Sequence, residues 1–153
     1  MAKDTAQTTP PLVLVVDDNP ADRTIIIEAL KQFVPGATTE TCCNGLEAIR
    51  RIRSECSSTL EKRPDLILLD LNMPGMGGHE VLSILKASED LRAIPVVILS
   101  SSAAMSDLTK AYGSHANCYV VKPSGLEPYL RAIGDCVQFW LNVVVQAKVA
   151  TAR

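Results

Sequence analysis

A chain of 153 residues has the length of one domain, and 15 Lys and Arg against 17 Asp and Glu leave a formal charge of −2. That near-balance argues against a dedicated nucleic-acid binder, whose footprint is strongly basic, and 47 % hydrophobic with 21 % charged residues suits a packed core better than a disordered chain. No apolar run approaches the ~20 residues that cross a bilayer, residues 1–11 lack the apolar stretch of a secretory signal, and a cytoplasmic protein is expected.

In chain order, a polar tail (1–11) precedes an apolar run at Leu12–Val16, followed by a helical pattern at 21–33 that Asn19-Pro20 opens and Pro35-Gly36 closes. A weaker strand candidate, Thr38–Cys42, leads through the Asn44-Gly45 turn to a helix at 46–56. Residues 54–64 are polar and read as an enlarged connection. Leu66–Leu69 is a third apolar run, and a helical pattern follows at 79–88; a run at 96–99 precedes a helix at 104–112; a last run at 119–121 precedes a long helix at 127–145. Strands alternating with helices imply a parallel sheet covered by helices, and runs without polar alternation imply strands buried on both faces. The five cysteines, 42, 43, 56, 118 and 136, show no CxxC or Cys/His spacing, so small buried thiols are expected rather than zinc ligands or disulfides. His79 and His115 have no partners nearby in sequence and read as solvated or capping residues.

The notable polar residues stand where apolar runs stop. Asp17 and Asp18 follow the first, Asp70 the third, Ser100 the fourth and Lys122 the fifth. In an open parallel sheet these positions share one edge, where ligands bind. Three crowded carboxylates stay ionised at neutral pH only beside a compensating cation, and an all-oxygen ligand set is the preference of Mg²⁺. Asp70 then reads as a carboxylate nucleophile for a phosphoryl group, Lys122 as a second positive charge and Ser100 as a hydroxyl donor to a phosphoryl oxygen. The set reads as an aspartyl-phosphate site.

Asp17-Asp18-Asn19, Asp70-Leu71-Asn72-Met73-Pro74-Gly75, Ser100-Ser101-Ser102 and Tyr119-Val120-Val121-Lys122-Pro123 resemble the receiver domains of two-component response regulators. The resemblance implies an α/β, flavodoxin-like fold with a five-stranded parallel sheet of order 2-1-3-4-5, spanning residues 12–145 and leaving tails 1–11 and 146–153 with no room for an output domain. It implies Asp70 as phosphoacceptor, Mg²⁺ bound by the Asp18 and Asp70 side chains and the Asn72 backbone carbonyl, and Asp17 holding a metal-bound water. Lys122 would meet the phosphoryl group across a cis Lys122–Pro123 bond. Ser100 and Tyr119 would form the switch, and Asn72 and Ser102 would tune hydrolysis of the phosphate. Residues 94–100, 116–119 and Phe139-Trp140-Leu141 are similar to the stand-alone regulators paired with cyanobacterial and bacterial phytochrome kinases.

The expected activity is acceptance of a phosphoryl group from a histidine kinase, with a histidine phosphotransfer protein as a further partner, in a self-acting phosphoacceptor more than a turnover enzyme. On the last helix, Leu130, Ile133, Val137, Trp140, Leu141 and Val144 form the core stripe at ~100° per residue. Ala132, Cys136, Phe139 and Val143 form a second apolar strip, which suggests a homodimer through the last helix and its neighbouring strand. Alternatives are a phosphate shuttle or sink serving a non-phytochrome kinase, a receiver that has lost phosphorylation, an Mg²⁺-dependent aspartyl-phosphate phosphatase and a flavin-binding protein. The phosphatase lacks its second carboxylate, since Asn72 stands there, and Asp17-Asp18 would repel a flavin phosphate.

Overall fold

The computed structural model describes residues 9–56 and 63–146. The elements alternate from the start: β1 (Leu12–Val16), α1 (Pro20–Phe33), β2 (Thr38–Cys42), α2 (Gly45–Cys56), β3 (Leu66–Leu69), α3 (Gly78–Ala87), β4 (Val96–Ser100), α4 (Met105–Gly113), β5 (Cys118–Val121) and α5 (Leu126–Gln138), with a π-helical turn at Phe139–Val143. All strand pairs are parallel and the order is β2-β1-β3-β4-β5, as expected. Residues 57–62 of the expected connection lie outside the described residues, as do most of both tails.

Period-two geometry divides the apolar runs between two cores. Leu14, Val16, Ile67, Leu69, Val96 and Ile98 pack with Ile49 and Ile52 of α2 and Val81, Leu82 and Leu85 of α3. Val13, Val15, Leu66, Leu68, Val97 and Leu99 pack with Ile26, Ala29 and Leu30 of α1 and Tyr129, Ile133 and Val137 of α5. β1, β3 and β4 are therefore buried throughout.

Capping fixes the helix starts that border the strand ends. Asn19 Oδ1 accepts from the amides of Ala21 and Asp22, with Pro20 at the first helical position. Asn44 Oδ1 accepts from Glu47 N at 2.8 Å while Glu47 Oε2 accepts from Cys43 N at 2.9 Å, a variant of the reciprocal capping box. Gly78 is buried because α3 starts against the loop after β3: a Cβ there would overlap the Asp70 carbonyl oxygen and come within 2.6 Å of Leu71 Cα.

Two expectations about the chain path are corrected. The peptide bond before Pro123 is trans; the tight entry to α5 is made by Gly125, whose φ of +93° suits a residue without a Cβ. The last helix is not one α-helix to residue 145: it widens into the π turn, so the ~100° wheel loses its phase beyond Gln138. Leu130, Trp140 and Leu141 still pack on the core.

Candidate functional site at the carboxyl end of the sheet

Backbone hydrogen bonds at the strand ends set the site. Asp17 N donates to Cys42 O, Asp70 N to Val16 O and Lys122 N to Ser100 O. β2, β1 and β4 thus lock the first residue beyond β1, β3 and β5 respectively, and the side chains at the β1, β3, β4 and β5 termini converge. Asp17, Asp70 and Ser100 are buried there, at 1 %, 7 % and 0 % exposure.

One carboxylate oxygen each from Asp17, Asp18 and Asp70 lies within 4.8 Å of the others. Lys122 Nζ reaches the same cluster, 3.1 Å from Asp17 Oδ2 and 3.7 Å from Asp70 Oδ1. Burial pushes Asp70 up to about 6; Lys122 and the Asn72 backbone amide pull the other way, and the Asp17 and Asp18 charges add to the rise. Burial raises Asp17 as well, against its hydrogen bond from Asn19 N and the charge of Lys122. Burial also works against the ammonium of Lys122, but the hydrogen bond to Asp22 and the neighbouring anions outweigh it, so its pKa lies above the ordinary value. Clustered hard oxygen donors with excess negative charge fit a divalent metal ion.

Ser100 Oγ accepts from Ser102 N at 3.1 Å, and Ser102 Oγ donates to Asp107 Oδ2 at 2.6 Å. Asp107 also meets His79 Nε2 at 3.2 Å, and hydrogen bonds from Ser102 and His79 hold its carboxyl below the usual range. The Tyr119 hydroxyl donates to Ser102 O at 2.8 Å, with its ring against the core. The structure thus joins Ser100, Ser102 and Tyr119 in one loop network. Ser102 has its hydroxyl turned to α4, and the Asn72 residue is exposed.

Other expectations are met unevenly. His79 is paired with Asp107 instead of solvated, because α3 and α4 bring together residues 28 apart in sequence. His115 is exposed with φ of +67°. Among the cysteines, Cys42 is buried but Cys43 is exposed, since it follows β2 outside the core, and Cys118 and Cys136 are partly exposed; Cys56 has no described side chain. Ala132 and Cys136 are half-buried and line a groove with Val120, Phe139 and Trp140, whereas Phe139 and Val143 are 50 % and 68 % exposed. Sequence reasoning missed Asp22, whose Oδ2 lies 2.9 Å from Lys122 Nζ. Its place in the first turn of α1 has a sufficient local explanation, complementing the helix dipole. It also missed Tyr129, buried with a hydroxyl that has no hydrogen-bond partner among the described residues.

The family pattern of the response regulator receiver domain matches residues 13–133. The chain belongs to the response regulator receiver family. It is 37 % identical over 133 residues to the probable methanogenesis regulatory protein FilR2 of Methanothrix harundinacea, covering 87 % of this chain and 85 % of that protein. It is 35 % identical over 135 residues to the response regulator Rcp1 of Synechocystis, covering 88 % and 92 %. The structure of Mn²⁺-bound Rcp1 superposes with a TM-score of 0.82 at 34 % identity, over 90 % of this chain and 99 % of that one. That of the phosphorylated cyanobacterial phytochrome response regulator RcpA superposes with a TM-score of 0.83 at 36 % identity, over 90 % and 98 %. This receiver is therefore a response regulator of two-component signalling, with phytochrome-associated homologues. Among its described residues no helix is long and apolar enough to cross a membrane.

Proposed function

We propose that this receiver takes a phosphoryl group from a histidine kinase onto Asp70, with Mg²⁺ as its metal ion. The observation that carries the proposal is a buried carboxylate at the end of β3, with Asp17 and Asp18 oxygens within 4.8 Å and the Lys122 ammonium 3.7 Å away. A carboxylate oxygen of Asp70 attacks the phosphorus of a kinase phosphohistidine; the new O–P bond forms as the N–P bond breaks, and the imidazole leaves. Asp18, Asp70 and the Asn72 carbonyl would hold the Mg²⁺, with Asp17 orienting a bound water; bound there, the ion supplies charge neutralisation to the transferring group. Lys122 provides a second positive charge, and Ser100, freed from the Ser102 amide, donates to a phosphoryl oxygen. Tyr119 follows the loop through its bond to Ser102 O. Asn72 flanks the approach of water and tunes hydrolysis, and Ser102 joins it once its hydroxyl leaves Asp107. The chain acts as a phosphoacceptor, not as an enzyme that turns over an external substrate.

The kinase is of phytochrome type, a reading supported by the homology to Rcp1 and RcpA. The homology to the methanogenesis regulatory protein FilR2 supports a second reading, a receiver serving a kinase other than a phytochrome. Phe139 and Val143, exposed beside the groove between β5 and α5, support a homodimer on that face in a cytoplasmic protein. The test is transfer from autophosphorylated kinases, light-regulated ones first, to the purified chain. Acid-labile phosphate should appear in the wild type and be absent in Asp70→Asn; equal labelling of the two proteins overturns the assignment. Sedimentation of the wild type as a monomer, with and without phosphate, at high concentration would defeat the dimer.

A further inference from the structure

The ammonium of Lys122 has three anions around it and is bonded to two of them. Its Nζ donates to Asp22 Oδ2 at 2.9 Å and Asp17 Oδ2 at 3.1 Å, while Asp70 Oδ1 at 3.7 Å is beyond hydrogen-bond distance. The lysine side chain is 12 % exposed and that of Asp22 is 26 % exposed, so solvent screens this pair less than a surface ion pair. Asp22 is held from behind, because its amide donates to the Asn19 cap. Asp17 belongs to the acidic cluster, but Asp22 lies on α1, outside the group of carboxylates that fits a metal ion. Its contact with Lys122, 100 residues away in sequence, therefore calls for a separate explanation. The neighbouring Tyr129 hydroxyl is uncharged at neutral pH and cannot replace the Asp22 anion.

We propose that Asp22 is a positioning residue that keeps Lys122 short of hydrogen-bond contact with Asp70 in the unphosphorylated protein. To engage a phosphoryl group on Asp70, the ammonium exchanges one anion for another, and the broken Asp22 contact subtracts from the stability of the phosphorylated state. Asp22 thereby lowers phosphoryl occupancy and sets how readily the receiver is loaded. The inference rests on the reading of Asp70 as phosphoacceptor.

Beryllium fluoride, titrated at saturating Mg²⁺ and followed by the amide NMR signals of Ser100, Ser102 and Tyr119, tests both separately. Asp22→Asn should bind about three- to tenfold more tightly than wild type, the size of a partly buried charged contact. Asp22→Ser, which keeps a good residue for a helix start, should show the same gain if the Asn variant folds poorly. Asp22→Glu, which restores the charge, should bind as wild type does. In a Lys122→Ala background the gain should vanish, since the cycle isolates the pair. Binding by Asp22→Asn and Asp22→Ser that is equal to or weaker than wild type overturns the inference, as does a gain that persists without Lys122. Failure of the wild type to bind beryllium fluoride overturns the phosphoacceptor reading itself.

Discussion

Replacing Asp70 by Asn should stabilise the metal-free protein, although Asp70 is the proposed centre of its function. The Asp70 side chain is 9 % exposed and burial lifts its pKa to about 6 from an ordinary 3.8. A folded-state pKa above the unfolded value means that the folded chain binds the proton more tightly. The contribution to stability is full below 3.8 and is lost as pH rises through about 6. The gap of 2.2 between those values, at about 1.36 kcal/mol per pH unit, puts the cost of the ionised group at about 3 kcal/mol at neutral pH. That cost is already net of the attraction to Lys122; Asn removes it but buries an amide NH2 in place of the carboxylate, which leaves a net gain of about 2 kcal/mol. Urea unfolding in EDTA at pH 7.5 should show the midpoint raised by about 1 M with an unchanged slope. At pH 4.5 the difference should largely disappear, and added Mg²⁺ should favour the wild type by mass action. An Asp70→Asn protein no more stable than wild type at pH 7.5, or one equally favoured at both pH values, would refute the reasoning.

Two further substitutions test how the pocket is supported. Gly78→Ala forces a Cβ onto the Asp70 and Leu71 backbone, which cannot yield as a side chain can; urea unfolding should show a loss of about 2–3 kcal/mol, whereas Gly36→Ala, with nothing within 4 Å, should stay within about 0.5 kcal/mol. Lys86 Nζ donates to Arg92 O, Ile94 O and Asn117 Oδ1, and the same Asn117 oxygen accepts from Val96 N. Lys86→Met should therefore cost about 1 kcal/mol in thermal or urea unfolding and speed amide exchange at Val96, the first residue of β4.

The sequence made the sheet legible because β1, β3, β4 and β5 are apolar runs, while the polar edge strand β2 shows only through its Thr residues and the flanking turns; β1, β2 and β3 fall at their expected limits, and β4 and β5 differ by one residue. Asp17, Asp70, Ser100 and Lys122 converge for the same reason, since each is the first polar residue after its run or the last residue within it. What stayed hidden depends on elements brought together only by packing. Lys122 meets Asp22 and His79 meets Asp107 across helices distant in sequence. The π turn was equally unreadable, because Phe139, Trp140, Leu141 and Val143 are apolar on every side and give a helical wheel no phase. Asp22 carried a weak signal, an acid five residues after the first aspartate of the pair, but a first-turn acid is ordinary in any helix.

The Ser102–Asp107–His79 chain makes α3 and α4 share an anchor with the loop that follows Ser100. A molecule that grips α4 and binds better when Asp107 has released Ser102 must, by the same factor, favour the pocket arrangement that goes with the released loop. Affinity on the outer surface and occupancy of the inner pocket are then two readings of a single free energy. A receptor for the signal is also, to that extent, one of its causes.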